Sequence, residues 1–301
     1  MEKERSRPSR NPERKKNATM VVPRQLFALP GVQAIASNGD SAILYKQLDR
    51  PLMERPLFSR SIALTVVLEG IKQVGLQQES IALKPYEAIL MGRDLMTVSD
   101  LLSEGGYFRQ YLLFFDEGTV REFLSGRRLS LLKGETSDWY SMQIDRAFLD
   151  FLSTLASTFD SLRRNPASML RLKLLEALEW LNDRDAGIAH WLFQSVHREP
   201  ANLRWLMEEN FSRGLTVEDF ALLSGRSLST FQREFKRSYG TTPARWIRKK
   251  KLERAATFLS AGQLDVTSVA MELGFENISH FIRLFREEFG LSPAEYRKKT
   301  T

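Results

Sequence analysis

The chain has 301 residues, 43% of them hydrophobic and 27% charged, the balance of a soluble globular protein long enough for two domains. It holds no cysteine and only three histidines, His190, His197 and His280, which excludes disulfides, iron–sulfur clusters and thiolate metal sites. The net charge is +7, with residues 1–17 and 201–301 basic and the stretch between them slightly acidic.

Residues 1–18 are charged and polar, with Pro8 and Pro12 and no apolar period, and read as a basic disordered tail. From about Met20 to Leu124 the pattern is strand-like. Short apolar runs at Ile62–Leu68, Lys72–Leu76, Ser80–Leu83, Glu87–Met91, Met96–Leu101 and Phe108–Phe115 are separated by Glu69-Gly70, Pro85, Gly92 and Gly105-Gly106. Strands at roughly ten-residue spacing predict a small sandwich or barrel. Leu64, Val66, Leu68, Ile89, Met91 and Phe114 are then candidates to line its interior, which is either a filled core or a site for a small apolar molecule.

The period then changes. Phe148, Leu152, Leu155 and Phe159 recur at steps of three and four, as do Leu170, Leu174, Leu178 and Leu181, so two amphipathic helices are expected over 146–160 and 167–181. Asn165-Pro166 separates them, and Pro166 suits a first helical turn. Asn182–Gly187 and Glu199-Pro200 punctuate the approach to the last part. The expected layout is therefore a tail at 1–18, a strand-then-helix domain at 19–187 and a further domain at 200–301.

The last part contains an internal repeat. Ser229-Thr230-Phe231-Gln232-Arg233-Glu234-Phe235-Lys236 aligns with Ser279-His280-Phe281-Ile282-Arg283-Leu284-Phe285-Arg286 at an offset of fifty. Tyr239-Gly240, Pro243 and Trp246 continue against Phe289-Gly290, Pro293 and Tyr296. Upstream, Thr216, Ala221 and Gly225 match Asp265, Ala270 and Gly274 one residue out of step. In each copy a helix N-cap (Thr216, Asp265) opens a short helix over Val217–Ser224 or Val266–Leu273. A glycine then permits a tight turn, and a second cap (Ser227, Asn277) starts a helix whose Phe pair faces inward. This is a helix-turn-helix, with units at about 216–237 and 265–287.

The outer faces carry groove chemistry. Arg233 and Arg283 suit guanine O6 and N7, Gln232 suits adenine, and Ile282 suits a thymine methyl or a packing contact with a neighbouring helix. Lys236 and Arg286, further along, suit phosphate. With Ser229, Thr230, Ser279 and His280 they form the candidate DNA-binding set. Between the units Pro243 opens a helix to about Ala261 bearing Arg245, Arg248, Lys249, Lys250, Lys251 and Arg254. At 1.5 Å per residue it spans about 25 Å, a rigid spacer on the scale of one DNA turn.

At Ala270, Gly274-Phe275, Ser279, Phe281, Arg283, Phe285, Phe289-Gly290, Ser292-Pro293 and Tyr296-Arg297 the chain resembles the AraC/XylS family of transcription regulators. The resemblance covers roughly 203–298. It implies two helix-turn-helix units joined by a linker helix, the first giving more of the base specificity. It also implies an α+β chain whose 20–185 region is a cupin-like β-barrel followed by dimerisation helices. The combination further resembles the subgroup that includes type III secretion activators, in which a protein partner often governs the N-terminal domain. Activation through RNA polymerase is the family expectation, and the effector, small molecule or protein, is unassigned.

Other classes fit less well. Residues 20–130 hold no histidine or cysteine, so the metal site of a cupin enzyme cannot be built. No phosphate-binding glycine loop occurs. No enzyme activity, cofactor or metal is expected. The rival reading is a protein-interaction or effector-sensing module with incidental DNA binding. No apolar run reaches the ~20 residues of a membrane span, so no membrane partner is expected and the chain reads as cytoplasmic. Because the two outer faces differ, the DNA target is expected to be an asymmetric direct arrangement.

Overall fold

A computed structural model describes residues 19–76, 79–129, 137–162, 166–197, 203–262, 264–275 and 277–300. The basic tail expected at 1–18 and the Glu199-Pro200 punctuation lie outside the described residues.

The chain is α+β, with the strands N-terminal and the C-terminal part helical. The strands are β1 (Met20–Val22), β2 (Val32–Asn38), β3 (Ser41–Leu48), β4 (Leu52–Ser59), β5 (Ile62–Glu69), β6 (Ile71–Leu76), β7 (Glu79–Leu83), β8 (Glu87–Met91), β9 (Leu95–Leu101), β10 (Phe108–Phe115) and β11 (Trp139–Gln143). They form two sheets, in the orders β1-β4-β9-β6-β7 and β11-β8-β5-β10-β3-β2. Every pairing is antiparallel except that of β1 with β4. The sheets face one another without closing, so an open sandwich stands where a closed barrel was expected.

One apolar core lies between the sheets, with Ala63, Val67, Ile89, Met91, Val98 and Phe114. A second lies on the outer face of the six-stranded sheet, under four helices: α1 (Glu117–Leu124), α2 (Arg146–Asp160), α3 (Pro166–Arg184) and α4 (Gly187–Val196). Strand alternation decides which residue joins which core. Leu64 and Val66 point to the helices, with Leu68 packed beside them, so these three do not line the interior as expected. Ala63, Thr65 and Val67, one position out of step, face the other sheet. Ile89, Met91 and Phe114 do face inward. Met91 and Phe114 border an inter-sheet cavity of about 40 Å³, which Lys46, Thr65, Lys72 and Gln110 also line.

The two helices expected from periodicity form over 146–160 and 166–184. Asp145 caps the first, accepting from the Phe148 amide at 2.9 Å. Their apolar stripes (Phe148, Leu152, Leu155; Leu170, Leu174, Leu178, Leu181) are buried within this chain, against the sheet. Those side chains are therefore not free to join two copies.

Candidate nucleic-acid interface

The C-terminal helices are α5 (Leu203–Asn210), α6 (Val217–Leu223), α7 (Leu228–Tyr239), α8 (Pro243–Ser260), α9 (Val266–Glu272), α10 (Ile278–Phe289) and α11 (Pro293–Thr300). Each repeat copy is a short helix, a turn and a longer helix: α6–α7 and α9–α10. Thr216 and Asp219 close a full capping box at the start of α6. Asp265 caps α9 by accepting from the Ser268 amide at 2.8 Å. Gly225 and Gly274 sit at φ +69° and +73°, so each turn needs a residue that tolerates the left-handed region. Ser227 then accepts from the Thr230 amide, and Asn277 from the His280 amide at 3.0 Å, setting where α7 and α10 begin.

Once the caps fix helix phase, the Phe pairs fix the buried face. Phe231, Phe235, Phe281 and Phe285 are fully buried. Phe235 stacks on Tyr239 at 4.3 Å and meets Trp246 at 5.9 Å. Phe285 meets Phe289 at 4.6 Å and Tyr296 at 5.4 Å. The opposite faces are in solvent. Ser229, Gln232, Arg233 and Lys236 are exposed on α7, and Ser279, His280, Ile282, Arg283 and Arg286 on α10. Ile282 is 37% exposed, so the alternative of packing against a neighbouring helix is not what the structure shows. Thr230 is half-buried, and its hydroxyl accepts from Ser227 at 2.9 Å, so the cap engages it.

The copies have diverged where they face their own cores. In the second, Phe275 packs on Phe281 at 5.0 Å and Leu284 is buried. The matching positions in the first are Arg226 and Glu234, which form an ion pair at 2.7 Å. The Arg226 hydrogen bond holds the Glu234 carboxyl below its usual range. On the second reading face, Arg283 lies 3.9 Å from Glu287, an exposed pair that contributes little.

The linker α8 runs 18 residues from its Thr242 cap, about 27 Å, with Pro243 in its first turn. Its basic stretch divides. Arg245, Arg248, Lys249 and Arg254 are exposed. Lys250 pairs with Glu253 at 3.0 Å. Lys251 turns inward, its ammonium 5.8 Å from the Phe275 ring, and burial lowers its pKa from the ordinary lysine value. It packs against the second unit.

The first unit also touches the sandwich, which periodicity had not indicated. Phe58 of β4 is fully buried among Leu206, Met207, Leu215 and Phe220. Arg60 pairs with Asp219 at 3.1 Å. In the sequence, Pro56-Leu57-Phe58-Ser59-Arg60 neither alternates cleanly nor carries a motif that would have marked it.

Known proteins are similar to this chain in two places. Residues 221–299 match the helix-turn-helix domain model, and residues 62–185 match the ExsA N-terminal regulatory domain model. The virulence regulon transcriptional activator VirF of Yersinia enterocolitica is 32% identical over 137 residues, 44% of this chain and 49% of that protein. The regulator ExsA of Pseudomonas aeruginosa is 30% identical over 107 residues, 36% of this chain and 38% of that protein. The chain thus spans about half the length, or less, of these curated relatives. Among solved structures, ToxT of Vibrio cholerae O395 aligns over 91% of this chain and 99% of its own, with 12% identity and a TM-score of 0.37. With a region similar to the ExsA N-terminal regulatory domain followed by a paired helix-turn-helix region, the chain is similar to AraC-type regulators over both of these parts.

Proposed function

We propose that this chain is a sequence-specific DNA-binding transcription activator whose α7 and α10 enter two successive major-groove segments. The observation that carries the reading is the pair of equivalent helices with buried Phe pairs and exposed polar, basic outer faces. Ser229, Gln232 and Arg233 serve as base readers in the first unit, and Ser279, His280, Ile282 and Arg283 in the second. Lys236, Arg286 and the exposed cations of α8 meet phosphate. Thr230 acts mainly through the cap.

The domain organisation that goes with this is a regulatory part over 19–187, a cupin-like layout in open form, and a DNA-binding part over 200–301. RNA polymerase is the activation partner, and an effector, small molecule or protein, acts on the sandwich. A homodimer through 146–160 and 167–181 would use the outer faces of α2 and α3, where Leu172 is 59% exposed. Among the described residues no helix is long and apolar enough to cross a membrane, and a DNA partner places the protein in the cytoplasm.

A gel-shift titration against salt, with specific and scrambled duplexes, tests the reading. Specific binding with a steep salt slope is expected. Equal affinity for both duplexes would instead favour the interaction module. Arg233→Ala is expected to lose about 1–3 kcal/mol of discrimination at one base pair. Unchanged specificity in that variant would refute the assignment of Arg233.

The outer faces also predict the form of the site. The first presents Gln232 and Arg233 where the second presents Ile282 and Arg283. Sites selected from random duplexes are expected to contain two unlike segments in direct arrangement. A palindrome bound by one copy would contradict this.

A further inference from the structure

We propose that Phe58 and Arg60, both on the sandwich side, are positioning residues for the first DNA reader, holding α6–α7 at the angle from which α7 enters its groove. This rests on α7 being a reader. Strand alternation makes β4 two-sided. Leu57 and Ser59 face the inter-sheet cavity, whereas Phe58 and Arg60 face the C-terminal helices.

Phe58 is inserted in the core of the first unit rather than resting on its surface. Its side chain is fully buried in the cluster that also holds Phe220, Phe231, Phe235 and Trp246. Arg60 engages the start of α6 with defined geometry. Its Nη1 donates to Asp219 Oδ1 at 3.1 Å, while Asp219 Oδ2 accepts from the Thr216 amide at 2.9 Å and the Thr216 hydroxyl at 2.8 Å. One buried carboxylate therefore joins the sandwich to the capping box of the reader. On its other side Arg60 lies 3.4 Å from Asp40, which sits between β2 and β3.

The second unit supplies a comparison within the same chain. The position matching Asp219 is Ser268, which has no carboxylate to offer, and the second core draws all its buried members from 252–285. Among the described residues the link is seen at the first unit. It approaches through α6 and leaves Ser229, Gln232, Arg233 and Lys236 of α7 exposed, so the docked arrangement is one from which DNA can be read. The first reader is fixed at two places, β4 and α8. Two helices that must enter successive grooves together lose affinity when either is free to reorient, because binding must then order it.

The test is footprinting of the full chain on a selected site, with the two segments assigned by Arg233→Ala and Arg283→Ala. In Arg60→Ala and Phe58→Ala the concentration needed to protect the first segment is expected to rise about tenfold, a size usual for coupling between sites. Protection of the second segment should move less than about threefold. Arg60→Lys should restore most of the loss, which a merely structural role for the side chain would not require. Arg60→Ala removes no core volume, so it keeps the test decisive if Phe58→Ala folds poorly. Parallel weakening of both segments, unchanged protection, or tighter binding would overturn the proposal. Absence of any protection by the parent chain would instead overturn the DNA-reading function.

Discussion

Asp100→Asn is expected to destabilise the sandwich by about 3–5 kcal/mol, the usual result of removing one partner from a buried ion pair. Asp100 is fully buried and accepts from two ammonium groups, Lys46 at 2.5 Å and Lys72 at 2.8 Å. Lys72 and Asp100 sit opposite each other on β6 and β9, whereas Lys46 comes from β3 in the facing sheet. The cluster therefore ties the two sheets across their core. Asparagine keeps the shape but leaves two buried cations facing each other with no countercharge.

The pH dependence follows from the same geometry. Burial by itself would raise the Asp100 carboxyl, but Lys72 and Lys46 override it and hold it below the usual range. A carboxyl depressed by folding contributes stability above its unfolded pKa, about 3.9, and loses it as pH falls through the lower folded value. The gap between parent and Asp100→Asn should thus be full at pH 7 and shrink only in strong acid. For Lys46, burial outweighs the pull of Asp100, and its pKa is lowered. Lys46→Met should therefore cost much less than Asp100→Asn, since it leaves a balanced Lys72–Asp100 pair. Hydrogen exchange at β3 and β9 in both variants measures the difference. Equal loss of protection would show that charge balance is not what the cluster supplies.

Phe285→Ala is expected to cost the second unit about 3–5 kcal/mol, the range for emptying a fully buried aromatic site. Phe285 meets Phe281 at 5.8 Å as well as Phe289 and Tyr296, and the core it belongs to is distinct from that of the first unit. The damage should therefore stay local. Amides of α9, α10 and α11 should lose exchange protection while those of α6 and α7 keep it, and footprint protection at the second DNA segment should vanish. Comparable loss in α6 and α7 would mean that the two units share one cooperative core.

The two halves of the chain were legible to different degrees, for reasons of range. Caps, turn glycines and Phe pairs act within about ten residues, so Thr216, Gly225, Ser227 and the 231/235 pair already defined a helix-turn-helix with a known outer face. All ten candidate residues are found on helices α7 and α10, and the hydroxyls of Ser229 and Thr230 both meet the Ser227 cap. In the sandwich, β5 through β10 were visible as separate runs, but the side of a strand that meets a neighbouring layer is not written in that strand. Leu64 and Val66 read as candidates for the interior because nothing in β5 itself shows which of its faces the helices expected over 146–160 and 167–181 cover. β11 pairs with β8 across some fifty residues, and the open sheet order rests on similarly distant partners.

The sequence by itself determined the duplicated reader, since its two copies are set by local capping and by a period that a helix must obey. Only the tertiary structure decided that the copies are not equivalent in their surroundings. Phe58 and Arg60 lie more than 150 residues from Asp219 and Phe220, and no local rule brings them together. Packing of the sandwich against α6 does, and it gives the first unit a second anchor that, among the described residues, is not seen at the second.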